Sequence, residues 1–189
     1  MKKLILCPAL LFLFNSNQAQ SAALKIEPVY GIERTQRQFP EPPKYVTKTF
    51  LGMRAVYGVP LISMEFEVGQ SLQKDNFPDD DLAVTYTTQR AMLGIRSYPI
   101  RSKLIGIFFR AGGRAQKETR DITKAGVETK EEGAINFDPY GGTGITLAFA
   151  NNFALNAGAT LVYNIDAAAS EQYDTQYSFS FTIKAGAGR

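Results

Sequence analysis

The sequence predicts an all-β fold, an eight-stranded antiparallel up-and-down β-barrel. Two observations predict it: apolar and polar residues alternate through eight segments, and no helical period occurs beyond the N-terminal region. The last segment, residues 173–183, is the clearest. Its odd positions from Tyr177 onward are large and apolar, and its even positions are polar. A period of two is typical of a strand with one apolar and one polar face, and 189 residues can close about eight such strands into one barrel.

The connections between the predicted strands alternate in length. This is expected of an up-and-down meander in which all short turns lie at one end and all long loops at the other. The strands are predicted at residues 24–33, 45–57, 62–71, 82–97, 105–114, 135–149, 153–164 and 173–183. Short connections are predicted at residues 58–60, 98–103 and 150–152, and long ones at residues 35–44, 73–81, 116–133 and 165–172. Apolar residues of the fourth strand change from even to odd positions, which predicts a bulge within residues 87–90.

Face parity also predicts side-chain neighbours across two of the short turns. Around the turn at residues 150–152, Leu147 should lie opposite Leu155 and Phe149 opposite Phe153. Around the turn at residues 58–60, Gly52 should lie opposite Glu65, with Arg54 diagonal to that carboxylate.

Residues 1–22 are predicted to be a signal peptide that is cleaved between residues 19 and 23. Lys2 and Lys3 precede an apolar run at residues 4–14, which is too short for the roughly 20 residues that span a bilayer, and small residues follow. The remaining residues 23–189 should form one β-barrel domain without a cysteine, because Cys7 lies in the apolar run. Without Lys2 and Lys3, the chain has 19 basic and 18 acidic residues. Its net charge is therefore close to zero, and nothing suggests a nucleic-acid partner.

The distribution of glycines indicates which face of the barrel points inward. Only Gly113 and Gly141 fall on the apolar face. The polar face carries Gly31, Gly52, Gly69, Gly94, Gly106, Gly112, Gly142, Gly144 and Gly158. A solvent-exposed face has little use for so many glycines, whereas the interior of an eight-stranded barrel is barely wide enough for side chains. The polar face should therefore line the lumen, with the apolar face against lipid, as in a transmembrane β-barrel.

Two sets of residues are expected in such a barrel, one inside the lumen and one at the membrane interfaces. Charged side chains of both signs should pair in the lumen and plug it. They are Glu27, Arg54, Glu65, Glu67, Arg90, Arg96, Arg110, Arg114 and Asp138. Aromatic side chains near both ends should form belts at the two membrane interfaces. They are Tyr45, Tyr57, Phe137, Phe149, Phe153, Tyr163 and Tyr173.

With these features, residues 24–186 resemble the small eight-stranded outer-membrane barrels of Gram-negative bacteria, the OmpA-domain and OmpX-like class. The resemblance is architectural and rests on the signal, the alternating strands, the short turns at one end and the long loops at the other. It implies a location in the cell outer membrane, contact with outer-membrane lipid and insertion by the barrel-assembly machinery. It also implies that the short turns face the periplasm and the long loops face outside.

Enzymatic chemistry is not expected. The chain has no histidine, and its one cysteine lies in the predicted signal peptide, so no catalytic residue and no cofactor is predicted. No metal site is predicted either, because Asp75 and residues 79–81 are more typical of a solvated loop tip. The sequence leaves two alternatives to a plugged membrane barrel open. They are a secreted soluble barrel that binds a lipophilic ligand and a small outer-membrane pore.

The longest connection, residues 116–133, is itself expected to contain strand structure. Residues 120–123 and 127–130 still alternate, and residues 124–126 could form the turn between them. A protruding hairpin of this kind could bind a surface partner by adding a strand to an exposed edge. A mobile charged loop is the alternative on composition.

Overall fold

The fold is a closed barrel of eight antiparallel strands in the order β1 to β8, with β1 hydrogen-bonded to both β2 and β8. This computed structural model describes residues 22–37, 44–59, 61–78, 81–150, 152–165 and 172–185. The strands are β1 Ala23–Arg37, β2 Lys44–Gly58, β3 Ser63–Phe77, β4 Leu82–Arg101, β5 Ile105–Lys124, β6 Val127–Ala150, β7 Phe153–Tyr163 and β8 Tyr173–Ala185. The predicted up-and-down barrel is confirmed, whereas nearly all of the predicted signal peptide lies outside the described residues.

Apolar side chains cover the outer surface, and polar ones line the interior. In β8, Gln176 is 3% exposed and its neighbour Tyr177 is 50% exposed. Leu51, Leu93 and Phe179 are likewise exposed on other parts of the wall. The soluble-barrel alternative is therefore wrong, because a barrel in water would turn this face inward. Within the described part of the chain, no helix is both long and apolar enough to cross a membrane.

The predicted bulge within residues 87–90 is wrong. The pairing of β4 with β3 runs without a shift from Phe77 opposite Leu82 to Ser63 opposite Arg96. Within the described residues, the register of β4 shifts only in its pairing with β5, between Ser97 and Ile100. The apolar residues change parity because the side chains of Val84, which is 1% exposed, and Tyr86 both point into the lumen, near the end with the long connections.

The predicted pairing between β2 and β3 is also wrong. Gly58 pairs with Ser63, so four residues separate the two strands. This register places Arg54 directly opposite Glu67 and leaves Val56 opposite Glu65. Turn length therefore decides which carboxylate meets Arg54.

The pairing between β6 and β7 is partly as predicted. Leu147 lies opposite Leu155, but the register shifts between Ala148 and Ala150, so Phe153 pairs with Ala150. Phe149 lies in this irregularity, and its ring still stacks on that of Phe153 at a centroid distance of 6.3 Å.

The wall of the barrel is much taller on the side formed by β3 to β6. The hairpin expected within residues 116–133 is confirmed, because β5 and β6 stay paired up to Lys124 and Val127. Ala125 and Gly126 form its turn with φ values of 49° and 77°, the left-handed conformations that a tight hairpin requires. Residues 73–77, predicted as loop, belong to β3 and pair with residues 82–86.

Candidate functional site

The lumen contains a charge-balanced set of buried ionic side chains. The nine side chains expected there all lie inside the barrel and are at most 6% exposed. The structure adds Glu33, Lys48 and Asp174 to them. The buried anions in the described part of the chain are Glu27, Glu33, Glu65, Glu67, Asp138 and Asp174, and the buried cations are Lys48, Arg54, Arg90, Arg96, Arg110 and Arg114. The two sets are equal in number, so the lumen carries no net charge when all twelve are ionised.

The lower part of this network, toward the short turns, is organised around Glu27 on β1. Arg54 and Arg96 donate to its carboxylate at 3.1 and 3.0 Å, and the Thr182 hydroxyl donates at 2.9 Å. Arg96 also forms an ion pair with Glu65 at 2.6 Å. Strands β1, β2, β3, β4 and β8 are therefore joined by one cluster of side chains.

The middle of the network is organised around Glu67 on β3. Its carboxylate accepts hydrogen bonds from Arg54 at 2.7 Å, from Arg90 at 3.0 Å and from Arg110 at 3.2 Å. Arg110 also pairs with Glu65, one inward position below Glu67 on the same strand. Glu67 thus links three guanidinium groups that come from β2, β4 and β5.

The upper part is organised around Arg114 on β5. Its guanidinium pairs with Glu33 at 3.1 Å, with Asp138 at 2.9 Å and with Asp174 at 3.0 Å. Glu33 also accepts from Arg90 at 3.2 Å. Because Arg90 in turn contacts Glu67, the upper, middle and lower clusters form one continuous network.

Three aromatic rings fill the space beside the guanidinium groups. Phe50, Phe108 and Tyr140 lie 3.4, 4.6 and 5.0 Å from Arg90, Arg96 and Arg110, measured from ring centroid to guanidinium carbon. Guanidinium groups stack favourably on aromatic faces, more so where water is excluded. The rings therefore close gaps between the ion pairs and add to their attraction.

Several lumen glycines make room for these rings. A methyl group at Gly31 would overlap Phe50, one at Gly94 would overlap the Tyr140 hydroxyl, and one at Gly144 would overlap Phe108. The alternation of the sequence predicted long polar side chains beside these glycines, but not the three aromatic rings. Their sequence parity could have revealed them, because Phe50, Phe108 and Tyr140 alternate in step with inward-facing charged residues.

The residues expected in aromatic belts all lie on the outer surface. Tyr57, Phe149 and Phe153 lie toward the short turns, and Tyr45, Phe137, Tyr163 and Tyr173 lie toward the opposite end. The rings of Tyr163 and Tyr173 meet edge to face at 5.5 Å. Rings at these two levels suit the polar–apolar boundaries of a bilayer, since aromatic side chains prefer that region.

The arrangement favours ion pairing over catalysis. Every buried carboxylate in the described lumen lies within ion-pair distance of an arginine. No group of three or more metal-ligating side chains occurs among the described residues, and residues 79–80 lie outside them. The site is best described as an interior cross-linked by ion pairs.

Solved structures with the same fold include three small outer-membrane barrels. Ail, the attachment invasion locus protein of Yersinia pestis, superposes with a TM-score of 0.59 and 8% identity over 88% of this chain and all of that chain (100%). Neisserial surface protein A superposes with a TM-score of 0.55 and 11% identity over 88% of this chain and 100% of that chain. OprG from Pseudomonas aeruginosa superposes with a TM-score of 0.55 and 10% identity over 89% of this chain and 98% of that chain.

At these identities the likeness establishes the fold, which is that of the small outer-membrane β-barrels. No protein-family model matches the chain, and no curated protein matches its sequence. The fold and the apolar outer surface together identify an integral membrane barrel of the outer-membrane type.

Replacing Glu67 by Gln should destabilise the barrel by about 3–5 kcal/mol, because three buried guanidinium groups lose a shared anion while the side-chain volume is kept. Urea unfolding of the protein in lipid vesicles measures this loss. Glu132→Gln is the matched control, since that carboxylate pairs with Lys117 on the exposed hairpin and its loss should leave the unfolding curve unchanged. Equal curves for the two variants would mean that the Glu67 ion pairs do not stabilise the barrel.

Proposed function

We propose that the protein is a plugged barrel of the cell outer membrane with a structural or surface-interaction role. The observation that carries this proposal is the continuous, charge-balanced network that runs through the lumen from Glu27 to Arg114. It accounts for the polar lumen without a transported solute, because buried cations and anions are equal in number and every buried arginine in the described lumen pairs with a carboxylate.

The same network argues against the alternative of a small pore. The interior of an eight-stranded barrel is just wide enough for its side chains. Here that space holds large guanidinium groups and aromatic rings, and the side chains of Arg54 and Arg96 are at most 2% exposed. An ion would have to break buried ion pairs to pass, which is costly in a medium of low dielectric constant.

Lipid is the partner that the outer surface supports. The apolar wall between the two aromatic levels fits the hydrocarbon layer of a bilayer, as in known membrane barrels. The barrel-assembly machinery would insert the chain into the outer membrane, as this architecture implies.

A surface partner could pair with the upper edge of β6, on the side of the barrel with the long hairpin. The edge of β5 is covered by β4 up to the hairpin, where Leu82 pairs with Lys124. By contrast, no described residue on the β7 side pairs with β6 above Tyr140, which pairs with Val162. Residues 127–139 of β6 therefore offer backbone donors and acceptors for an added strand, a recognised mode of peptide binding.

The charge of this edge indicates the chemistry of its partner. Glu128, Glu131 and Glu132 lie on it together with one lysine, Lys130, so β6 itself is predominantly negative here. Because Glu132 pairs with Lys117 of β5, Glu128 and Glu131 are the carboxylates that a partner would contact. An extended segment with basic side chains would complement it, because opposite charges directly across a strand pair stabilise the pairing. The edge is thus the favoured site for interaction with a basic peptide segment.

Purified wild-type protein in planar bilayers should show no steady conductance, because the plug closes the lumen. The double variant Arg54→Ala/Glu65→Ala removes one cation and one anion from neighbouring strands, so the lumen stays neutral but contains a gap. Its conductance should exceed that of the wild type. Steady, well-defined conductance of the wild-type protein would refute the plugged form and support the pore.

The proposed orientation predicts which end of the barrel reacts with a reagent that cannot cross the membrane. A cysteine introduced as Ala125→Cys at the hairpin turn should be labelled on intact cells by an impermeant maleimide. The control, Val59→Cys at a short turn, should be labelled only after the outer membrane is made permeable. The opposite pattern would show that the hairpin faces the periplasm, and no surface role could then be assigned to it.

A further inference from the structure

A basic cavity opens at the short-turn end of the barrel. Its volume is about 610 Å³, and four of its lining side chains are cationic, namely Lys25, Arg101, Lys103 and Lys184. No acidic side chain is among the described residues that line it. We call this cavity the basic vestibule. It contrasts with the lumen above it, where buried cations and anions are equal in number.

The fold brings these cations together from separate strands. Lys25 on β1 and Lys184 on β8 are direct partners in the strand register, and like charges directly opposite destabilise a strand pair. Arg101 ends β4, and Lys103 follows it in the turn to β5. Three separate parts of the chain therefore deliver positive charge to one cavity, as they would if an anion bound there.

The inner end of the vestibule is closed. Tyr98 lines it, and its ring contacts that of Phe108 at a centroid distance of 5.8 Å. The Tyr98 hydroxyl accepts from Arg96 at 3.3 Å, which connects this floor to the lower ionic cluster. The Lys25 ammonium lies 5.1 Å from the centre of the Tyr98 ring. A ligand of the vestibule would thus be bound at the mouth and not passed through the barrel.

The outer rim of the vestibule is apolar. Leu104, Phe149 and Phe153 line the cavity and are also exposed on the outer wall. The rings of Phe149 and Phe153 belong to the aromatic level at this end, where the headgroups of a bilayer meet its hydrocarbon. A ligand with an anionic head and an apolar tail would satisfy both parts of the cavity.

We propose that the basic vestibule binds the phosphate headgroup of an anionic phospholipid, with Lys25 and Lys184 as its principal cationic contacts. The ammonium groups would neutralise the phosphate, and the lipid chains would lie against the Phe149 and Phe153 rings. This proposal rests on the membrane location of the barrel and is independent of the plug and of the β6 edge.

The test uses the full barrel refolded into vesicles of phosphatidylcholine alone or of phosphatidylcholine mixed with phosphatidylglycerol. The urea midpoint of the wild type should rise when phosphatidylglycerol is present, and Lys25→Gln/Lys184→Gln should lose this rise. In phosphatidylcholine alone the double variant should be at least as stable as the wild type, because it lacks the repulsion between the two lysines. A purely structural role for these lysines would lower stability in both lipids.

The control variant is Lys124→Gln/Lys130→Gln, which removes the same charge from the exposed hairpin at the opposite end. It should keep the full dependence on phosphatidylglycerol. The same dependence in all three proteins would overturn the proposal, since the lipid would then act on overall charge. A third arm adds inorganic phosphate to phosphatidylcholine vesicles. Stabilisation there equal to that by phosphatidylglycerol would assign the site to free phosphate and overturn the lipid assignment.

A second variant keeps the test decisive if the lysine pair prevents refolding. Arg101→Gln/Lys103→Gln alters the exposed rim of the same vestibule and should also reduce the rise with phosphatidylglycerol. An unchanged rise in this variant would count against the site. Because the readout is lipid-dependent stability, its failure is distinct from a failure of the conductance or labelling experiments.

Discussion

The structure depends on one constraint: a charge enclosed in a narrow barrel must lie next to an opposite charge. An unpaired ion removed from water costs several kcal/mol, and the interior of an eight-stranded barrel has little space for water to reduce that cost. Glu67 illustrates the solution, since one carboxylate serves guanidinium groups from three strands. Each such contact also holds one strand against another, so the network stabilises the register that the turn lengths set and fills the lumen.

The shape of the remaining lumen residues follows from this arrangement. Guanidinium groups are flat, and aromatic rings such as Phe50 and Phe108 cover their faces. Rings of that size fit only where the facing wall has no side chain, which accounts for Gly31 and Gly144. The outer wall needs no such matching, because lipid adapts to apolar side chains of any shape. The inner face is therefore specified residue by residue, and the outer face mainly by hydropathy.

The sequence predicted which face each residue occupies better than which residues meet. Alternation divided each strand into two faces, because the side-chain period of a strand is two, and the glycines on the polar face indicated that this face points inward. It could not predict that Arg54 pairs with Glu67, since this depends on the number of residues in the turn between β2 and β3. The bulge predicted near Val84 and Tyr86 is wrong for a different reason: an apolar residue inside a polar lumen has the same sequence pattern as a change of face. Glu33 and Asp174 had the correct parity, but parity does not show that both reach Arg114.

The central claim is that the lumen arginines are enclosed in ion pairs and shielded from water. Hydrogen exchange of their side-chain Nε–H groups, observed by NMR in lipid nanodiscs, tests it most directly. The Nε–H of Arg54 and Arg96, which donate to Glu67 and Glu65 at 2.9 and 2.7 Å, should exchange far more slowly than that of exposed Arg34. Exchange of the lumen arginines as fast as that of Arg34 would show a hydrated lumen and contradict the account.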